Sequence, residues 1–318
     1  MGRFLGRRLI QTVPVLLVSS VLVFLIIHLA PGNPAQTLAG PDATPAVVKA
    51  IQARLDLNGP LYKQYVSWLD GLLHGKLGQS YISSVPVVQL LPSRIVATGE
   101  LIGAGAIVAI IVGVTLGSIA GFRRDGLIDS IVSWLTGIMV STPEFWVGLL
   151  VILAFSVDLG WLPPEGRVGF TQNPSEALRF LILPTVTLAF QPIAYIARTV
   201  RASVVETLSE EYIRMARAKG VFGVRFYFRH VLKNALVPIL SIVGLVLTRM
   251  LGGAIIVESV FAWPGVGLLL VSSIANRDYQ VVQDTLLLFI LAVVAINLLT
   301  DIAYAVVDPR MRSQAKTT

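Results

Sequence analysis

Three ionisable side chains stand inside apolar stretches of this chain: Glu144, directly after Pro143, then Arg249 and Asp301. Placing a charge among apolar residues is costly, so such groups pair with one another or face a wet pathway. Glu144 and Arg249 have opposite signs, and both readings stay open for them: a structural ion pair, or two groups lining a path. Pro143 can loosen the helix around it and free a carbonyl toward such a path. Gln191-Pro192 repeats that signal more weakly. What the chain lacks narrows its chemistry. There is no G-x-x-x-x-G-K-[ST] loop to cradle ATP phosphates and no G-x-S-x-G serine. His28, His74 and His230 are far apart and show no metal-ligand spacing. With no cysteine there is no disulfide, zinc–thiolate site or thiol nucleophile. No catalytic, cofactor-binding or metal-binding residue is assigned, and an enzyme is not the expectation.

The elements that must position these groups are membrane spans. Hydrophobic residues make up 55% of the 318 and charged residues 14%, with a mean hydropathy of +0.77. A soluble domain carries about 25% charged residues. The apolar blocks approach the roughly 20 residues that cross hydrocarbon. Leu9 to Leu29, preceded by Arg3, Arg7 and Arg8, reads as an uncleaved first span, since it is too long for a signal peptide and no A-x-A site follows. Five more spans are predicted near 98–121, 130–156, 180–200, 235–257 and 284–307. With both termini inside, the cytoplasmic segments hold sixteen Lys or Arg, against three in the two short outer loops. The net charge of +7 therefore reads as topology, and no aromatic-and-basic stripe suggests nucleic acid.

The division expected is a tail and first span over 1–30, an extracytoplasmic loop region over 31–97, a five-helix core over 98–307 and a cytoplasmic tail over 308–318. In the outer loop, Thr44-Pro45 opens a helix ending near Leu55. A second runs from Pro60 to before Gly75, with Leu61, Tyr65, Trp68, Leu69 and Leu72 on one buried face. This loop is too small to fold without packing on the bundle. Gly113, Gly117 and Gly121 form a small-xxx-small row for close helix approach. In Phe261-Ala262-Trp263-Pro264-Gly265-Val266-Gly267, Pro264-Gly265 suits a type II turn and the aromatics suit a membrane interface or a re-entrant element.

The longest charged passage, Glu206 to Pro238, lies in a predicted cytoplasmic loop over 201–234, and eight Lys or Arg fall between Arg198 and Lys233. Thr207 and Glu210 make a capping box for a helix over roughly 208–219, which Gly220 ends in a left-handed conformation. A capped, basic helix held between two spans is suited to meet a partner.

Arg214-Met215-Ala216-Arg217-Ala218-Lys219-Gly220, followed by Arg229-His230-Val231-Leu232-Lys233-Asn234, resembles the EAA loop of ABC-importer permeases. Pro31-Gly32-Asn33-Pro34, Pro143-Glu144-Phe145-Trp146, the Phe261–Gly267 segment and Asp308-Pro309-Arg310 extend the resemblance over nearly the whole chain, to the first permease of the dipeptide, oligopeptide and nickel group. Arg214 stands where the motif's namesake Glu belongs, and Lys233 replaces the usual Pro. The resemblance implies an all-α membrane protein of six transmembrane helices with the type I importer permease fold, in a bacterial inner membrane. It implies a coupling helix docking on an ATPase through Tyr212, Arg214, Ala216, Arg217 and Gly220. Leu208, Tyr212 and Met215 share a face expected to pack on the bundle. The partners implied are a second permease, one or two kinds of ABC ATPase and an extracytoplasmic binding protein; ATP and Mg belong to the ATPase and no cofactor to this chain. The substrate expected is a peptide, with nickel or a metal chelate as the alternative in the same group. An ion-driven carrier or channel is the alternative from another class, and it would transport without an ATPase.

Overall fold

The computed structural model describes residues 2–29, 34–40, 43–54, 59–221 and 223–307. Most of the 31–34 motif, Leu55, and the whole 308–318 tail with Asp308-Pro309-Arg310 lie outside the described residues, as do the side chains of Arg217, Arg229, His230 and Asn234. The described residues are helical with no strand. In chain order the helices are α1 (Gly2–Leu29), α2 (Pro34–Ala39), α3 (Pro45–Arg54), α4 (Leu61–Leu73), α5 (Val87–Phe122), α6 (Leu127–Ser141), α7 (Glu144–Ile152), α8 (Pro174–Ser209), α9 (Glu211–Ala218), α10 (Gly223–Phe226), α11 (Lys233–Val260), α12 (Val266–Ala275) and α13 (Tyr279–Val307). Wider π-type turns continue α7 over Leu153–Asp158 and join α10 to α11 over Tyr227–Leu232.

Four described helices are long and apolar enough to cross a membrane, within α5, α8, α11 and α13. The third span, expected near 130–156, is a pair, α6 and α7 with its extension, bent by 101°. The described apolar stretch of α1, Ile10–Ile26, is shorter. Among the described residues the expectation of six spans thus meets four long crossings, one bent pair and this shorter helix. The exposed faces are apolar, with Ile107, Ile111, Trp134, Leu149 and Leu299 all on the surface.

The chain divides into two units. The first comprises residues 1–8, 99–263 and 295–318, and α8 is its centre. Two-thirds of the apolar window of α8 is buried, against 6% for α13. It opens on Asn173, whose side chain accepts a hydrogen bond from the Glu176 N–H at 3.3 Å, with Pro174 in the first turn. Gly113, Gly117 and Gly121 lie against Ile193, Ile196, Ala197, Val200 and Val204 of α8, so the glycine row gives the close helix approach predicted, and its partner is α8. Asp301 of α13 pairs with Arg8 at 3.0 Å.

Two local readings are corrected in this unit. Phe261 and Trp263 are each 1% exposed, so they are core residues and not interfacial anchors. The Phe261 carbonyl accepts from the Gly166 N–H at 2.9 Å, and the Arg167 guanidinium lies 5.8 Å from the Trp263 ring centre while pairing with Glu100 at 2.8 and 2.9 Å. These contacts hold the aromatics inward. Nor is there a type II turn, since Gly265 has φ −97° and the left-handed residue is Ala262 at φ 45°.

The second unit comprises residues 9–98 and 264–294. The loop helix α4 packs here through Tyr65 and Trp68, whose rings meet Phe24 at 5.4 and 6.2 Å, while the Tyr65 hydroxyl bonds Ser20 at 2.9 Å. The face assigned as buried is only partly covered: Tyr65, Trp68, Leu69 and Leu72 are half-buried, and Leu61 is exposed because it opens the helix beyond this aromatic cluster. Two carboxylates on the segment entering α13 tie the loop down. Asp284 accepts from Trp68 Nε1 and Gln280 Nε2, and Asp278 accepts from the Ser80 hydroxyl and the Tyr81 N–H. Burial, with those carboxylates nearby, pushes the Tyr81 phenol up to about 12, so it stays neutral. Val87, Leu91 and Val281 form the apolar core beneath.

Candidate coupling surface and charged membrane site

The break between α6 and α7 follows from Pro143. Proline has no N–H to donate and obstructs the preceding turn, and it drives the residue before it out of the helical region. Thr142 accordingly has φ −89° and ψ 126°. Gln191 of α8 stabilises the bend, because its Nε2 donates to the Thr142 carbonyl at 2.9 Å. Replacing Gln191 by Leu strands that carbonyl, at a cost of about 1–3 kcal/mol. A lowered thermal unfolding midpoint in detergent is the expected result, and an unchanged midpoint would show that the bend does not depend on this bond.

Beyond the break, Glu144 starts α7 and its carboxylate lies against Gly253 of α11, where an added Cβ would stand 2.6 Å from Oε2. Arg249, one turn earlier on α11, is exposed on the surface of the chain, and its guanidinium sits 5.0 Å from the centre of the Tyr195 ring. Tyr195 is itself one turn beyond Gln191 on α8. The structure thus brings Glu144, Gln191, Tyr195, Arg249 and Gly253 to one region, but no ion pair joins Glu144 to Arg249 among the described residues. An Arg at mid-span facing lipid costs about 2.5–3.5 kcal/mol or more. A cation–π contact returns about 0.5–2 kcal/mol. An exposed Arg249 therefore fits a surface facing water or another protein chain better than one facing lipid.

The predicted capping box is not formed. α8 continues through Thr207 to Ser209, because Ser203, Val204 and Thr207 recur on its buried face. Glu210 is the C-cap of α8, its N–H bonded to the Thr207 carbonyl at 3.2 Å, and α9 begins one residue later. The end of α9 is as predicted. Gly220 has φ +80°, and the Val221 N–H reaches back to the Ala216 carbonyl at 3.1 Å, which is the Schellman arrangement. The packing face is corrected: Ile213 is fully buried, whereas Tyr212 is 40% and Met215 63% exposed. Hydrophobicity alone could not choose between Ile213 and the Leu208–Tyr212–Met215 set, since either makes an apolar stripe. Arg214, Lys219 and Gly220 are exposed and Ala216 is half-buried, so α9 shows a mixed aromatic, apolar and basic surface. The Arg217 side chain lies outside the described residues.

One arrangement near this surface was not foreseen. Arg201 of α8 forms a two-point ion pair with Asp129 of α6, whose Oδ2 also accepts from the Asp125 N–H at 3.0 Å. In sequence, Arg201 counted only as one of several cytoplasmic cations, and no periodicity links it to Asp129.

These features are those of a membrane transport subunit. The family model for the binding-protein-dependent transport system inner membrane component matches residues 113–313, and the model for the N-terminal part of such components matches residues 1–98. The chain belongs to that family, so it is a multi-pass inner-membrane transport subunit and not an enzyme. Membership implies a substrate-binding protein and a separate ATPase as partners. A probable peptide ABC transporter permease of Sinorhizobium fredii is 42% identical over 312 residues, covering 98% of this chain and 100% of its own length. The glutathione transport system permease of Escherichia coli O6:H1 is 40% identical over 312 residues, covering 98% and 99%. Among solved structures, the inward-facing MetNI methionine ABC transporter aligns with a TM-score of 0.59 at 19% identity, over 69% of this chain and 97% of that one. This likeness shows the type I importer permease fold.

Proposed function

We propose that this chain is the permease subunit of an ATP-driven peptide importer and forms one half of the translocation path beside a different, second permease. Its relatives named for peptide and glutathione transport cover it end to end and support that substrate class. Docking to one or two kinds of ABC ATPase runs through α9, with Tyr212, Arg214, Ala216, Arg217 and Gly220 at the contact. ATP and Mg are held by the ATPase. Closure of two ATPases pushes on α9, which continues from α8 after one non-helical residue, so the push reaches the centre of the bundle. Both termini face the cytoplasm in this reading, and Glu144 and Arg249 line the path. The observation that carries the proposal is a short helix whose Ile213 is fully buried, with an aromatic and basic surface exposed among its described residues.

The test is association. Gly220→Arg is expected to leave the chain inserted but to abolish co-purification with the ATPase. Among the described residues an added Cβ meets nothing within 4 Å, so the bulk of the new side chain is directed at a partner. Gly220→Ala carries the same left-handed backbone cost, about 1 kcal/mol, without the bulk. It is expected to retain association. Full co-purification of the Arg variant would overturn the docking role.

A further inference from the structure

We infer that Glu144 and Arg249 read the two ends of a short peptide in the membrane path, the Glu144 carboxylate taking the α-ammonium and the Arg249 guanidinium the α-carboxylate. This rests on the peptide-permease reading. Three observations support it. The charges are opposite, yet no ion pair between them, or with another charged side chain, is formed among the described residues. Glu144 is half-buried and Arg249 exposed, so both are open to a ligand. Each is also held in place. The Glu144 carboxylate rests on Gly253, where any side chain would collide with it, and the Arg249 guanidinium lies over Tyr195.

The chemistry suits the two groups. An ammonium donates charge-assisted hydrogen bonds to a carboxylate, and a guanidinium offers a carboxylate a planar two-point match. The Thr142–Gln191 bond fixes the bend from which Glu144 projects, so the separation is set by the bundle and not by a mobile loop. A longer peptide must fold back to satisfy both ends at once, which costs chain entropy, so the site favours short ones.

The experiment uses the complete importer in proteoliposomes with its binding protein, and compares a dipeptide with its carboxyl-amidated and N-acetylated forms at concentrations that saturate the binding protein. Where the binding protein rejects a blocked peptide, the same comparison is made by equilibrium binding to the complex in nanodiscs. Arg249→Gln is expected to lower handling of the free dipeptide at least tenfold and of the amidated form less than twofold. Glu144→Gln is expected to do the same for the free and N-acetylated forms. Arg249→Lys, which keeps the charge and loses the planar match, is expected to restore part of the loss. Equal losses for free and blocked peptides, or no loss for the free one, overturn the inference. A wild-type complex that carries no peptide overturns the peptide reading itself, which is a separate and recognisable result.

Discussion

Arg201→Leu is expected to lower the unfolding free energy of the permease by about 3 kcal/mol or more, because breaking a buried pair from one side leaves a stranded charge. The Asp129 side chain is 5% exposed and Arg201 33%, so the carboxylate is the partner that cannot recover water. Its remaining described donors are the Asp125 N–H and the Ser133 hydroxyl. The expected readout is a thermal midpoint about 5 °C lower in detergent, at roughly 1.5 °C per kcal/mol for a chain of 318 residues. Adding Asp129→Asn to Arg201→Leu is expected to recover most of that loss, since a neutral amide removes the stranded charge. A single variant that melts within about 2 °C of wild type, on the same scale, would show that the pair contributes little. Because the pair ties the turn before α6 to α8 near the start of α9, the double variant also asks whether the tie serves transport. Stability restored without uptake would point to a role in transmitting motion.

Gly117→Leu is expected to prevent the bundle from closing. A Cβ at Gly117 would stand 2.8 Å from the Val200 Cβ and 3.0 Å from the Ala197 carbonyl carbon, and that backbone cannot give way as a flexible side chain could. The cost falls at or above the upper end of the about 1–3 kcal/mol typical of overpacking, since α5 must move off α8 along the whole glycine row. Loss of monodisperse protein and a lowered midpoint are the measurements. Gly103→Leu is the control on the same helix, where an added Cβ meets nothing within 4 Å. Similar behaviour of the two variants would argue against close packing as the reason for the row.

Much of the fold was legible because it is written in local pattern. The apolar blocks marked α5, α8, α11 and α13, the four-residue glycine spacing marked a close-packing face on α5, and Gly220 marked the end of α9. Prolines show where legibility stops. Pro14, Pro92, Pro184, Pro192 and Pro238 all lie inside continuous helices, while Pro143 breaks one. Nothing adjacent to Pro143 distinguishes it. What does is Gln191, from a different helix, which takes up the carbonyl that the bend exposes. The capping box failed for a related reason: Thr207 has the right local chemistry to begin a helix, but its place on the buried face of α8 carries that helix past it.

By itself the sequence determined the class of the protein, the approximate positions of the long crossings, the glycine seam and the charged passage that contains α9, since hydropathy, spacing and backbone preference act within a few turns of one helix. Only the tertiary structure decided that Asp129 meets Arg201, that Glu144 and Arg249 stay apart, that Ile213 rather than Tyr212 is buried, and that Phe261 and Trp263 turn inward. Those outcomes depend on which side chains from distant segments arrive at the same place, and the free energy of such a meeting belongs to the pair and not to either stretch of chain.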